Sequence, residues 1–178
     1  MSDIWIVNAS PLIALAEVGC EHLLTALSPT VLVPTAVEAE ILAGPLGDPA
    51  KTLLEHGWAK TIEPSMIPTS VIEWGLGSGE SAVLAVALET PGSTAVLDDA
   101  AARTAARTLG VPVIGTLGII VRAKQRQHLS SAAAVISQLK SAGLYLDDNM
   151  LRTVLQQVGE TWPPPADPNT TSTSQGNP

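Results

Sequence analysis

The sequence has few aromatic residues and a single cysteine, and both shortages limit what the protein can be. Phenylalanine is absent, and the aromatic residues are four tryptophans and Tyr145. We expect Trp5, Trp58 and Trp74 to lie in the core or at its rim, and Tyr145 alone forms no aromatic surface for stacking RNA bases. Cys20 has no second cysteine with which to form an internal disulfide, as is usual for a protein of a reducing compartment.

Long apolar runs are also lacking. No uninterrupted apolar stretch approaches the roughly 20 residues that a membrane-spanning helix requires. The first ten residues, MSDIWIVNAS, have neither the basic start nor the long apolar core of a signal peptide. We therefore expect no membrane-spanning segment and a cytoplasmic protein.

Positive charge is scarce. Nine Lys and Arg stand against 17 Asp and Glu, which gives a formal net charge of −8. Because nonspecific affinity for duplex DNA comes from neutralising phosphates, this excess of acid argues against a duplex-coating protein. The basic residues are nevertheless clustered, since five of them fall within residues 103–126. They suit a local phosphate-facing patch, although solvated helix faces would give the same pattern. The five are Arg103, Arg107, Arg122, Lys124 and Arg126.

Residues 94–124 carry the clearest structural pattern in the chain. The apolar run Ala95–Leu97 stops at Asp98 and Asp99, and a helical pattern follows. A second apolar run, Val111–Ile114, then breaks before Thr116 and another helical segment. This β-α-β-α order indicates a parallel sheet, in which ligands bind outside the carboxyl ends of the strands. We therefore expect the two aspartates and Thr116 to lie at a ligand-binding edge.

The remaining chain supplies further strands and helices, and its length of 178 residues suits one domain. Further strands are predicted at Ile4–Val7, Val31–Val33 and Trp58–Ile62, so that the sheet has about five. Helices are predicted at 12–18, 21–27, from 35, and at 50–56, 81–88, 130–141 and 147–158. Residues 1–160 form the predicted domain, and the Pro-, Ser- and Thr-rich residues 161–178 a disordered tail.

Several polar residues have a structural interpretation as well as a functional one. Ser10 and Thr116 are placed to cap helices. Thr35 and Glu38 have the spacing of a capping box, which leaves Glu40 without a local role other than facing solvent. Glu80 lies in the first turn of an apolar helix, where the helix dipole favours a carboxylate. Asp98 and Asp99 could cap the helix that follows them, but one cap needs only one of them.

The same residues together favour a metal site. Asn8 and Ser10 follow the first strand, and Glu40, Glu80, Asp98 and Asp99 are predicted at the same edge. Clustered carboxylates repel one another, and a hard divalent cation such as Mg²⁺ or Mn²⁺ removes that repulsion. Such an ion can position and deprotonate a water for attack on a phosphodiester. The motifs HExxH, CxxC, GxSxG and GxxxxGK[ST] are absent from the sequence, so other hydrolase, redox and nucleoside-triphosphatase interpretations lack support.

Four strings carry a resemblance to a known family, and together they span about residues 1–160. They are IVNASPLIALAEVG at 6–19, VPTAVEAEI at 33–41, GSGESAVLAVALE at 77–89 and VLDDAAARTAARTLGVPVIGTLGIIVRAK at 96–124. In this combination and order the sequence resembles the PIN-domain nucleases, whose fold is that of the VapC-type toxins. The likeness is strongest to a PIN-like branch with Asn at the first acidic position.

The resemblance implies a three-layer α/β/α fold with a central parallel sheet, a Mg²⁺ or Mn²⁺ site, and hydrolysis of single-stranded RNA. It would make Glu40, Glu80 and Asp98 or Asp99 metal ligands. Asn8 stands where nuclease members typically have an acid; its carbonyl oxygen can bind a hard cation but lacks the formal charge. For substrate binding we expect Ser10, Arg103, Thr116, Arg122 and Lys124.

Other roles and one other fold remain open at this point. The protein could be the toxin of a toxin–antitoxin pair, with the basic patch facing the acids of a small antitoxin. It could instead be a catalytically silent RNA- or protein-binding module, and a homo-oligomer is expected by analogy with the fold. A response-regulator receiver is the rival fold, because VLDDAAAR resembles the acidic end of its first strand. The acidic pair lies past mid-chain, however, and no Asp follows it until Asp147.

Overall fold

The computed structural model describes residues 4–164, and its centre is an all-parallel five-stranded sheet. The strands are β1 (Ile4–Val7), β2 (Thr30–Pro34), β3 (Lys60–Ile62), β4 (Thr94–Val96) and β5 (Val113–Ile114). Helices cover both faces of the sheet, so its strands are nearly continuous apolar runs rather than runs in which apolar and polar residues alternate. Ile6, Val7, Ala95 and Val96 are completely buried.

The strand order is β3-β2-β1-β4-β5. From the central β1 the chain first builds outward through β2 to β3 and then returns to the other side of β1 for β4 and β5. The carboxyl ends of β1 and β4, which are neighbours with Val7 opposite Val96, therefore mark the point where the order reverses. In open parallel sheets this switch point leaves a crevice for a ligand. The predicted three-layer fold with a central parallel sheet is thus confirmed.

Helices flank the sheet in two groups. In the described part of the chain they are α1 (Ala9–Glu17), α2 (His22–Leu27), α3 (Thr35–Leu42), α4 (Pro49–Glu55), α5 (Thr69–Ile72), α6 (Ser78–Glu89), α7 (Ala100–Thr108), α8 (Thr116–Gln125), α9 (Ala132–Ser141) and α10 (Asp148–Gln156). Helix α8 packs with α1, α2 and α9, whereas α6 packs with α3, α5 and α7 and against the three central strands. Because α6 packs against β1 and β4, and Gly79 in its first turn lies beside Asn8, the start of this helix is at the switch point.

Three helix starts differ from the prediction. Ser10 does not cap α1, because the helix already begins at Ala9 and Asn8 occupies the capping position without a side-chain bond. Glu38 forms no capping box; it accepts a hydrogen bond from the Thr61 hydroxyl of β3 at 3.0 Å. Thr116 is the first residue of α8 rather than its cap. For Glu38 and Thr116, a partner distant in sequence, Thr61 and Asp98 respectively, takes the place of the expected local one.

Between residues 4 and 164, no helix is long and apolar enough to cross a membrane. The first residues of the predicted tail are also described. The Trp162 indole N–H donates to Asp148 at 3.0 Å, and the Lys140 ammonium lies 5.4 Å from the centre of the Trp162 ring. The rest of the predicted tail, residues 165–178, lies outside the described residues.

Candidate active site

Asn8 follows β1 directly and occupies the switch point. Its backbone N–H donates to the Val96 carbonyl of β4 at 3.1 Å, which fixes the residue against the neighbouring strand. The residue is only 4% exposed. Its Oδ1 is buried and has no hydrogen-bond partner among residues 4–164. A buried acceptor left unsatisfied costs about 1–3 kcal/mol, so this oxygen calls for an explanation.

Gly79, in the first turn of α6, is the residue that this oxygen faces. A Cβ on Gly79 would lie 3.0 Å from Asn8 Oδ1 and 2.8 Å from Glu40 Oε2. The absence of a side chain at Gly79 therefore leaves room between an amide oxygen delivered by β1 and a carboxylate oxygen delivered by α3. Two of the predicted metal ligands thus face one point in the structure.

Asp98 lies just beyond β4, the strand next to β1. Its Oδ1 accepts from the Thr116 backbone N–H at 2.8 Å, and its Oδ2 accepts from the Thr116 hydroxyl at 2.6 Å. Asp98 therefore joins the end of β4 to the start of α8, and Thr116 fixes the direction of both carboxylate oxygens. Arg103 reaches the same place, since a Cβ on Gly115 would clash with its Nη1 and lie 2.8 Å from Asp98 Oδ1.

Glu80 and Asp99 have local partners. Glu80 Oε2 accepts from the Gly77 N–H at 2.8 Å, at the start of its own helix. Asp99 caps α7, with its Oδ1 accepting from the Ala102 N–H at 2.8 Å. The structure thus separates the predicted acids: Glu40 faces Asn8 across Gly79, whereas Glu80, Asp98 and Asp99 each accept from a backbone N–H at a helix start.

The predicted substrate-binding residues are also divided. Thr116 and Arg103 lie beside Asp98, as described above. Ser10 is exposed on α1 and lines a separate, smaller cavity with residues of α9. Arg122 and Lys124 lie on the later turns of α8, away from the carboxyl edge. The Arg122 guanidinium is 5.9 Å from the centre of the Trp5 ring, and Lys124 pairs with Glu160 at 3.1 Å.

The fold and this arrangement agree with a comparison against family models. Residues 4–160 match a family model described as a PIN domain. The chain belongs to the PIN-domain family. This match decides against the receiver-domain interpretation and gives the protein a nuclease-type fold, in a family that typically uses divalent metal ions. No curated protein matches the sequence.

Whether the residues of this PIN domain fit a metal ion depends on the oxygens at the switch point. In residues 4–164, no group of three or more His, Cys, Asp and Glu is close enough together to hold an ion. Asn is not among those residue types, however, and Asn8 supplies a buried oxygen without a partner next to a carboxylate. Carbonyl and carboxylate oxygens are the ligands of Mg²⁺ and Mn²⁺. The donor set therefore fits a hard cation with a low count of charged ligands.

Sequence reasoning missed one residue of this site. Gly79 acts by having no side chain, and a glycine in the first turn of a helix is too common to indicate this role. The string GSGE gives a weak signal, because Gly77 and Gly79 flank the residue that starts the helix. The approach of Asn8 and Glu40 to the same point beside Gly79 becomes visible once α3 and α6 are packed with β1.

Proposed function

We propose that this PIN domain is a Mg²⁺- or Mn²⁺-dependent ribonuclease that hydrolyses phosphodiester bonds of single-stranded RNA. The observation that supports this function best is the buried, unpartnered Asn8 Oδ1 facing Glu40 Oε2 across Gly79. Asn8, Glu40 and Asp98 would hold the ion. The expected ligand roles of Glu80 and Asp99 remain predictions, although both side chains already have partners.

The ion, when bound, would acidify a water and offset the negative charge that develops on the phosphate. The chain's own residues have separate tasks. Thr116 holds both oxygens of Asp98 in a fixed direction, and hydrogen-bonded orientation of a metal-binding carboxylate strengthens its binding. Arg103 lies beside Asp98, where its guanidinium can donate two hydrogen bonds to a phosphate. Asn8 is held rigidly by its backbone bond to β4.

A catalytically silent RNA-binding module is the second candidate. One specific observation favours it: the residue that follows β1 is an amide rather than an acid, so the ion would be held by less negative charge. The roles as a cytoplasmic toxin and as the partner of a small antitoxin, and assembly into a homo-oligomer, extend either candidate and stay predictions.

The two candidates differ in metal binding and cleavage. Titration calorimetry with Mn²⁺ and cleavage of a labelled single-stranded RNA should both give a signal for the wild type. We expect Glu40→Gln and Asp98→Asn to reduce both by at least about ten-fold, since each removes a charged ligand. Glu80→Gln and Asp99→Asn test the other two predicted acidic ligands, because both variants retain a hydrogen-bond acceptor for their helix starts. Glu73→Gln, at an exposed carboxylate, is the control that should change neither signal.

The outcomes separate the interpretations. Absence of Mn²⁺ heat together with absence of cleavage in the wild type would leave the binding module. Cleavage that is lost in Glu80→Gln or Asp99→Asn but kept in Glu40→Gln would assign the ligands to the other pair of acids.

A further inference from the structure

A cavity of about 770 Å³ opens beside Asp98. One wall is basic and comes from α7, and a second wall is apolar and comes from α10 and the segment that precedes it. The residues that give the walls this character are Arg103, Arg107, Tyr145, Leu146, Met150 and Val154. Asp98 and Thr116 of the candidate site also line the cavity, so the two regions are continuous.

The basic wall is suited to phosphates. Arg103 and Arg107 are four residues apart on α7 and therefore lie on one face of that helix. The Arg107 side chain is exposed and forms no hydrogen bond or ion pair with any residue of the described range 4–164. Among the residues that line the cavity, these two arginines outnumber the one carboxylate, Asp98. In a chain with a net charge of −8, the cavity is a local site of positive charge.

The apolar wall includes an aromatic side chain that is exposed to solvent. Tyr145 is 90% exposed, and Met150 next to it in the wall is 43% exposed. Single-stranded nucleic acids are bound where a base can stack on an aromatic ring while cations hold the backbone. Tyr145 alone would form no such surface, as the sequence indicated, but the fold places it in the lining of the same cavity as two arginines.

We propose that this cavity binds one nucleotide of single-stranded RNA, with its base stacked on Tyr145 and its phosphates held by Arg103 and Arg107. The inference rests on the proposed function for the identity of the ligand, and it adds a substrate subsite adjoining the metal centre. A nucleotide in the cavity places a neighbouring phosphate of the same strand beside Asp98.

The test measures binding apart from cleavage. Fluorescence anisotropy follows the full-length protein binding a labelled single-stranded RNA of about 12 nucleotides, in oligo(A) and oligo(U) forms, with EDTA present to prevent hydrolysis. We expect Tyr145→Ala to raise Kd by at least about five-fold, and Tyr145→Phe to stay within about two-fold, because the ring rather than the hydroxyl stacks. Since Tyr145 is almost fully exposed, its variants should keep the wild-type melting temperature.

Loss of an arginine should change how RNA binding depends on salt concentration. Arg107→Gln should weaken binding and lower the slope of log Kd against log salt concentration by about 0.7, as loss of one phosphate contact to a single strand predicts. Lys60→Gln is the matched control, because Lys60 is an exposed cation on β3, at the edge of the sheet opposite to β5, whose residues line the cavity. Its RNA affinity and salt slope should equal those of the wild type.

Two results would overturn the inference. The first is that the wild type binds no single-stranded RNA in EDTA. The second is that Tyr145→Ala and Arg107→Gln bind the RNA as well as the wild type does, which would leave the cavity to a protein partner. Cleavage by Mn²⁺-loaded protein is measured separately. If the wild type cleaves RNA and the variants bind it with unchanged affinity, the subsite is refuted and the nuclease function stands. If the variants bind more weakly and the wild type does not cleave, the subsite stands and the nuclease function is refuted.

Discussion

At the scale of single residues, Gly79 controls the geometry of the proposed metal centre. A methyl group there would approach Glu40 Oε2 to 2.8 Å and Asn8 Oδ1 to 3.0 Å, so Gly79→Ala should displace the exposed Glu40 carboxylate. Alanine favours the helix by up to about 1 kcal/mol, which offsets part of the crowding. We expect Mn²⁺ affinity to fall by about ten-fold in calorimetry while the melting temperature changes little. Ser78→Ala, one residue earlier on the same helix, should alter neither quantity, and unchanged metal affinity in Gly79→Ala would contradict the assignment.

Asn8 permits the opposite experiment. Asn8→Asp places a carboxylate in a position that is 4% exposed and close to Glu40, so the metal-free variant should lose about 2 kcal/mol of stability or more. A divalent ion would offset the added charge. Mn²⁺ should therefore raise the melting temperature of the variant by more than that of the wild type, and its metal affinity should increase several-fold. Equal responses of the two proteins to Mn²⁺ in thermal denaturation would show that Asn8 is not a ligand.

At the scale of secondary-structure elements, the bond between Thr116 and Asp98 attaches α8 to the end of β4. Thr116→Val keeps the shape of a side chain that is 2% exposed but removes the hydroxyl that donates to Asp98 at 2.6 Å. A hydrogen bond to a charged acceptor contributes about 1.5–3 kcal/mol, so denaturant unfolding should show a loss of that order. Thr104→Val removes an exposed hydroxyl bonded within α7 and should cost under about 0.5 kcal/mol. Similar losses in both variants would mean that the Asp98 contact is not stabilising.

Elements were predictable where local pattern and tertiary structure agree. The apolar runs that form β1, β2 and β4 are largely buried on both faces and that of β5 is partly buried, so their composition alone indicated a parallel sheet. Helix α5 was not predicted, because it has four residues in a Pro- and Gly-rich stretch and is held by the packing of the fully buried Val71. The capping box of Thr35 and Glu38 failed for a related reason, since Glu38 bonds to β3 instead.

The candidate site shows the same limit. The sequence indicated that polar residues would gather at the carboxyl edge, because strand ends determine that edge. It could not indicate which acids would face each other. Glu80 and Asp99 accept from backbone N–H groups within their own helix starts, and Asp98 accepts from Thr116 at the start of α8, which leaves Glu40 facing Asn8 across Gly79. That division depends on side-chain direction, which sequence spacing does not determine.

At the scale of the whole molecule, Glu160 connects the end of the described chain to the rest of the domain. Its carboxylate accepts from the Ala132 and Ala133 N–H groups at 2.9 and 2.7 Å, at the start of α9, and also from the Ser131 hydroxyl. Lys124 of α8 pairs with it at 3.1 Å. One side chain thereby joins α8, α9 and the segment after α10.

This contact should make stability depend on pH. Partial burial raises the pKa of Glu160, but the bonds from Ala133, Ala132, Lys124 and Ser131 outweigh that effect, so its pKa lies below the usual 4.5. A carboxylate with a lowered pKa in the folded state stabilises the fold fully above its unfolded pKa, and this contribution is lost as pH falls through the folded value. Glu160→Gln should therefore have a free energy of unfolding about 1–2 kcal/mol lower than that of the wild type at pH 7, measured by denaturant unfolding. This difference should shrink progressively below about pH 4.5. Glu73→Gln, at an exposed carboxylate on the surface of the domain, should match the wild type at pH 7. A Glu160→Gln deficit that stays constant from pH 7 to pH 3 would show that the charge of Glu160 does not hold these three elements together.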